Sequence, residues 1–491
     1  MRDAVMPQIV GLEPDEERAL AELMAQWRRK LIRNEIRSTY YDMKNVLKDL
    51  EISIPPHMKD VETVFGWPAK AVDKLAERCK LDGFTLPEGK IEDFGIPEIM
   101  RENRLRIEAP QAHTSALTHS VSFLTATKGD PDAGEPDVLV TARSAKTATG
   151  IWSPRLRRLT SALAITDSDV YGVSELTLYF PTKVVTVRRD ALKKWEVIRK
   201  THALNRVPVE PLVYRPDLDR PFGRSRISRA VMSIVDSAVR TALRTEVSAE
   251  FFAAPQRYAL GVDMDAFMNA DGSMRSGWES IIGRLLAIGR DEDGNLPTVG
   301  TFAQQSMEPH LAQLRQIGTR FAGETGIPLP SLGIVQDNPP SAEAMEVAER
   351  DLVVDAEAAQ DVFGEAWVQT MKNAVRMRDG SPEDLAGLAE LEAKWRPAKT
   401  PSKAAAADAT VKLVQAFPWL GETEVALEYV GFDRATIARL MAEKRRNGMK
   451  TFVGTLPGAV SAVNAAQQAA AQQPQPAQEQ PQAAPSTPPG Q

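Results

Sequence analysis

The stretch from Ser306 to Gly380 leaves this chain the fewest choices. It reads as a helix, a Pro/Gly-rich loop and a second, very long helix. Leu311, Leu314, Ile317 and Phe321 recur at three- and four-residue spacing, which predicts a helix over 306–324 with one apolar face. The segment TGIPLPSLGIVQDNPPSAEA (325–344) cannot continue it: Pro328, Pro330, Pro339 and Pro340, with Gly326 and Gly333, forbid a continuous helix. Ser341 is then placed to cap a new helix, with Glu343 and Glu346 where a helix N-terminus favours negative charge. No proline follows until after Arg378. About 38 helical residues span roughly 57 Å at 1.5 Å per residue, well beyond the usual three or four turns. Met345, Ala348, Leu352, Ala356, Ala359, Phe363, Ala366 and Trp367 keep to one broad stripe. A single helix of that length needs a large framework, or neighbouring subunits, to cover it.

Bulk properties narrow the classes. A chain of 491 residues can hold two to four packed units. A formal net charge of −6 excludes a basic nucleic-acid wrapper. The single cysteine, Cys79 in KLAERCKLDGF, excludes an internal disulfide and a Cys-based zinc cluster, and it is expected to be a buried, inert thiol. No apolar run approaches the 18 residues or so of a membrane span. The N-terminus lacks the charged, apolar, small-residue order of a signal peptide, so a cytoplasmic product is expected.

In chain order, residues 14–50 predict helix, opened by Asp15, Glu16 and Glu17, with Leu20, Leu23, Met24, Trp27, Leu31 and Ile32 on one face and a Tyr40–Tyr41 pair. Pro55 and Pro56 end it. A second helix is expected over Trp67–Leu81, with Pro68 in its first turn. From Val121 to Tyr214 the pattern shortens to VSFLTAT, DVLVTAR, SALAITD, LTLYFPTKVVTVRRD and WEVIRKT, joined by GDPDAGEP (129–136) and SDVYG (168–172). This predicts an antiparallel sheet carried on the first helices, an α+β organisation. The acidic 129–136 segment reads as a solvated hairpin loop rather than a metal site.

PLVYRPDLDRPFGRSRISRAV then turns the chain into a helix running to about Phe252, with Ser225 or Ser228 as cap. Arg224, Arg226, Arg229, Arg240 and Arg244 decorate it. That spacing reads as a solvated or subunit-pairing face, with phosphate contact as the alternative. A compact insertion over 254–303 carries a strand, QRYALGV, a helical piece near Trp278 and a turn at Asp293-Gly294. DEDGN there resembles half a calcium loop, but Phe302 stands where the closing glutamate belongs. Leu391–Trp395 reads as a short strand. Three short helices follow between 401 and 447, and the Ala/Gln/Pro-rich tail cannot bury a core and is expected to be disordered.

No GxxxxGK[ST], HExxH, GxSxG or GxGxxG occurs. The five histidines (57, 113, 119, 202, 310) are scattered, and His113 and His119 lie six apart in a polar stretch read as loop, poor metal spacing. A chain of this size with no nucleophile, metal or cofactor motif reads as structural, not as an enzyme, with no cofactor and no metal.

PFGRSRI, AAPQRYALG, the turn-rich insertion with DGNLPTVGTF, MEPHLAQLRQIGTRFAGETGIP and the NPPSAEAM loop occur in that order. In this arrangement, over residues 15–450, the chain resembles the SPP1-like phage portal proteins of tailed actinobacteriophages. The resemblance implies an α+β portal fold that forms rings. Residues 1–224 would be the α/β wing and 225–253 the first stem helix. The small α/β clip would take 254–303, and the second stem helix 304–325. A tunnel loop would span 326–340, the long wing spine helix with a return strand 341–399, and a helical crown 400–450, before the tail at 451–491.

It further implies a ring of twelve at one capsid vertex, the channel through which double-stranded DNA is packaged and ejected; a DNA-packaging enzyme (nuclease or motor subunit) or another capsid scaffold component is the alternative. The implied partners are the terminase large subunit, a head–tail adaptor, the major capsid protein and a scaffold, with no membrane. Leu329, Leu332, Ile334, Val335, Gln336, Asp337 and Asn338 would touch the passing duplex loosely, an ordinary inter-helix loop being the alternative. Arg229, Arg240, Arg244, His310, Arg315 and Arg320 would make stem contacts between subunits. Trp278, Arg290, Asp291, Glu292 and Asp293 would form the clip's docking surface. Gly326–Pro340 contains neither Lys nor Arg. This suits a surface over which DNA must slide, because fixed cations would hold the phosphates.

Overall fold

The computed structural model describes residues 9–45, 63–87, 90–170, 172–190, 194–253, 257–260, 298–301, 306–334, 341–381, 385–399 and 403–455. The chain divides into two compact units, Met1–Lys399 and Thr400–Gln491.

The larger unit begins with helix α1, Pro14–Tyr41. A reciprocal cap starts it: the Glu13 N–H donates to the Glu16 carboxylate at 2.9 Å, and the Glu13 side chain accepts from the backbone N–H of Glu16. The helix ends at Tyr41, short of the expected residue 50; 46–62 lie outside the described residues. Leu20, Leu23, Met24, Trp27 and Leu31 are buried as the pattern requires. They pack on Leu163, Ile165, Leu176, Leu178, Val185 and Val187 of a sheet. Ile32, expected on the same face, is 53% exposed.

Helix α2, Trp67–Ala76, is shorter than predicted, and Leu81 instead opens strand β1, Leu81–Thr85. Its partner is β12, Glu392–Trp395, the strand foreseen near the end of this unit. Two helices follow that the sequence did not announce, α3 (Ile96–Glu102) and α4 (Leu105–His119). Pro110 inside α4 and its small, weakly patterned residues hide it. The stretch containing His113 and His119 is therefore helix, not loop, and both rings are buried.

The β-rich region is two sheets rather than one. Strands β2 (Val121–Lys128), β3 (Val138–Ser144) and β9 (Val209–Val213) form an antiparallel sheet in the order β3-β2-β9. Strands β4 (Ala148–Ser153), β5 (Arg158–Asp169), β6 (Gly172–Tyr179), β7 (Lys183–Arg189) and β8 (Trp195–Thr201) form an antiparallel meander. LTLYFPTKVVTVRRD is thus two strands, turned at Phe180–Thr182. Alternation along β2 explains the layering. Val121 and Phe123 face the meander with Ala162, Ala164 and Tyr179. Leu124 and Ala126 face the opposite way, into the main core. The order of layers is α1, the meander, the three-stranded sheet, then helices.

The helices on that sheet are α4 and a long helix, while α5 (Arg229–Ala253) and α6 (Glu308–Thr325) pack on each other; the long helix is α7 (Ala342–Asp379). α7 has the foreseen 38 residues: the Ser341 hydroxyl accepts from the Ala344 N–H at 3.2 Å, and Gly380 stops it at φ +65°. Leu352, Ala356, Ala359, Phe363, Ala366 and Trp367 are buried in the main core. The first turns depart from expectation, with Met345 44% exposed and Ala348 also exposed. The second unit contains α8 (Lys403–Ala416), α9 (Glu424–Val430) and α10 (Arg434–Thr455), matching the three expected helices. The tail beyond 455 lies outside the described residues.

Candidate functional site

α5 and α6 pack on each other, with the insertion between them in sequence. Contacts at both ends fix them as antiparallel. Ser228, before α5, donates to Glu324 near the end of α6 at 3.2 Å. Ser248, late in α5, meets His310 Nε2, early in α6, at 3.5 Å. Ser228 caps α5, accepting from the Val231 N–H at 3.1 Å. Burial grades along the hairpin. Near its root Val231, Ile234, Val235, Ala238, Ile317 and Phe321 are in the core. Leu311, expected on the apolar face, is 44% exposed. Strands β10 (Arg257–Leu260) and β11 (Thr298–Thr301) pair antiparallel and close the insertion at its base. Trp278, Arg290, Asp291, Glu292 and Asp293 lie outside the described residues.

Arg226 locks the root of the hairpin. Placed by the sequence on a solvated or pairing face, it is 6% exposed and buried. Its guanidinium donates to the Ala71 carbonyl of α2, to the Tyr214 hydroxyl at 3.0 Å, to the Asp355 carboxylate of α7, and to the Thr325 carbonyl ending α6 at 2.6 Å. Tyr214 also donates to Asp355 at 3.0 Å, and Arg215 at 2.6 Å. Burial pushes the Tyr214 phenol up to about 12. One planar fork therefore ties four segments far apart in sequence. The signal was present as PFGRSRI, but only the fold shows which arginine of that motif turns inward.

The Tyr40–Tyr41 pair has a related role. Tyr40 donates to Asp236 of α5 at 2.8 Å and Tyr41 to Asp73 of α2 at 2.8 Å, so α1 is stitched to both helices. His113 accepts from the Trp367 indole at 2.9 Å and stacks on Phe363 with centroids 5.0 Å apart. Burial holds it neutral, down to about 3. Cys79 is buried against the Ala356 carbonyl, and burial pushes its thiol up to about 12, as an inert thiol requires.

The expected stem residues do not converge on one cluster. His310 is half-buried against Ser248. Arg315 sits 3.8 Å from Glu308, and Arg240 donates to Ser237 at 3.2 Å. Arg229, Arg244 and Arg320 are exposed.

The loop after α6 is anchored. Gly326 caps α6 at φ +66°, its N–H reaching the Ala322 carbonyl at 2.8 Å. A turn of 3₁₀ helix at Leu329–Leu332 follows. Leu332 is 6% exposed, and Leu329 and Ile334 pack on the main core. Ile334 occupies the space over Gly318 that a Cβ there would claim. Lys70 holds the Ser331 carbonyl at 3.1 Å. These three apolar side chains, expected on a duplex-facing surface, are instead the loop's attachment. Val335, Gln336, Asp337 and Asn338 lie outside the described residues.

A family profile described as "Phage portal protein, SPP1 Gp6-like" matches residues 20–447. The chain belongs to that portal protein family. The portal protein of Mycobacterium phage L5 is 30% identical over 385 residues, 77% of each chain. That of Mycobacterium phage D29 is 30% identical over 383 residues, 77% of this chain and 78% of its own. Among solved structures, a chain from the neck of a native GTA particle shares 14% identity over 75% of this chain and 90% of its own, at a TM-score of 0.42, too loose to argue from. The match to the portal family runs from α1 into α10 and so takes in the helical hairpin, the anchored loop and the long helix.

Proposed function

We propose that twelve copies of this chain form a ring at one capsid vertex of the virion. The ring is the channel for DNA packaging and ejection. It is also the platform on which the terminase large subunit and then the head–tail adaptor dock, beside the major capsid protein and scaffold. The chain performs no catalytic step, and translocation draws on a separate ATPase. The hairpin of α5 and α6 is the stem, the 254–303 insertion the clip, 326–340 the tunnel loop, α7 the wing spine and α8–α10 the crown.

The observation that carries this reading is the portal-family match over 20–447 on a chain whose apolar surface is incomplete alone. Val347 is 73% exposed and Met345 and Leu311 are each 44% exposed, all on the long helix or the hairpin. Neighbours in a ring would cover such side chains. Leu329, Leu332 and Ile334 anchor the loop, and the segment 326–340 has no Lys or Arg that would arrest a sliding duplex.

Negative-stain electron microscopy of the purified chain, with its mass in solution, tests the proposal. Rings of about a dozen subunits with a central hole are expected. A chain that stays monomeric or dimeric even with the other capsid proteins present overturns it.

A further inference from the structure

A cleft of about 610 Å³ opens between α1 and the 219–229 segment that leads into α5. Its walls carry Lys30, Arg33, Arg37, Arg220, Arg224 and Arg229. The acidic side chain among its lining residues is Asp219. Arg224 is satisfied by Asp217 at 2.7 Å. The others have no carboxylate partner among the described residues. Arg37 reaches the His119 carbonyl at 2.9 Å and the Asn34 side chain at 3.4 Å, and Lys30 lies 4.0 Å over the Phe222 ring. Burial, then the charges of Arg29 and Arg33, pull the Lys30 ammonium down to about 8. Such a cleft is short of negative charge.

The missing charge is present elsewhere on the same chain. Arg29, Arg33 and Arg37 recur every four residues on α1, a row of like charges on one face. On α7, Glu357, Asp361 and Glu365 recur at the same interval. All three acids are exposed and make no side-chain ion pair or hydrogen bond among the described residues. Each row repels itself within its own helix, and the two rows have the same rung spacing. Apolar side chains flank both: Ile32 and Ile36, 53% and 46% exposed, beside the cations, and Val354, 57% exposed, beside the acids.

We propose that the cationic row and cleft of one subunit receive the Glu357–Asp361–Glu365 face of α7 from a second copy, head to tail. Two different patches that complement each other give a heterologous contact, the kind that closes into a ring. Opposed rows also set register and reject misaligned neighbours. The proposal rests on the ring reading and names one of its interfaces.

Charge reversal in the full chain tests it, using two exposed positions, Arg33→Glu and Asp361→Arg, with thermal melts to show that each variant folds. Ring assembly is followed by mass in solution and electron microscopy. Each single variant should shift the concentration for assembly upward by at least about tenfold. Mixing the two variants should restore rings, because every contact is matched when they alternate and none is matched within either pool. The doubly reversed chain should also assemble. Rings unchanged in both single variants, or loss that neither the mixture nor the double variant repairs, would overturn the proposal. So would Arg33→Glu rings that form normally but lose binding of a short DNA duplex, since the cleft would then serve phosphate. Absence of rings from the unaltered chain, with the other capsid proteins present, sinks the ring reading itself, whereas wild-type rings indifferent to reversal sink only this interface.

Discussion

Arg226 shows how much one side chain can organise. It is buried, pairs with the half-buried Asp355, and its remaining donors end on two carbonyls and a phenol. Removing it leaves the Ala71 and Thr325 carbonyls without this donor and Asp355 with only Arg215 and Tyr214, a cost of about 3 kcal/mol. Arg226→Ala should therefore lower the urea midpoint sharply. Arg226→Lys should recover little, because an ammonium cannot reproduce the fork.

Glu16 gives a pH signature at the same scale. Burial alone would raise its carboxyl, but Arg199, the Glu13 N–H and Lys183 outweigh that and hold it down to about 2. A depressed carboxylate stabilises the fold above its ordinary value of 4.5 and loses that contribution as pH falls toward 2. Protection of the amides within 14–41, taken relative to their intrinsic exchange rate at each pH, should fall across that window. Glu16→Gln should exchange faster at neutral pH and lose much of the dependence.

Among elements, the loop after α6 and the start of α7 make opposite predictions. The loop is pinned by Ile334 over Gly318 and by Leu332 in the core. Gly318→Leu fills the Ile334 seat, so protection over 326–334 should fall while the rest of the hairpin keeps its own. Ile334→Ala should give the same local loss. α7 begins with its apolar residues uncovered, so its first turns depend on the cap. Ser341→Ala should cost about 1 kcal/mol locally, read as faster exchange over 342–351 and little change in global melting. The same helix beyond Leu352 is core, and its length owes nothing to that cap.

For the whole molecule, stability follows the layers. β2 is buried on both faces and the second half of α7 lies against it, so these should be the slowest amides to exchange in the unassembled chain. The hairpin beyond Leu311 and residues 342–351 should be among the fastest of the larger unit, and both should gain protection when rings form. Unchanged exchange at Met345 and Val347 on assembly would mean that neighbours do not cover them.

The elements that the sequence marked correctly are those whose signals are local. Ser341 and Gly380 bound α7, Ser228 starts α5, and period-2 runs mark most of the strands. The family signature in PFGRSRI and PSAEAM is local as well. What only tertiary structure decided is non-local pairing. β1 is a strand because β12, some three hundred residues later, lies beside it. α4 escaped notice because its small residues pack on a sheet rather than display a pattern. One expected sheet became two because Phe123 and Leu124 turn to different cores. Arg226 reads as surface from spacing, yet the fold buries it. Spacing reports a residue's face on its own element, and burial depends on what another part of the chain brings to that face.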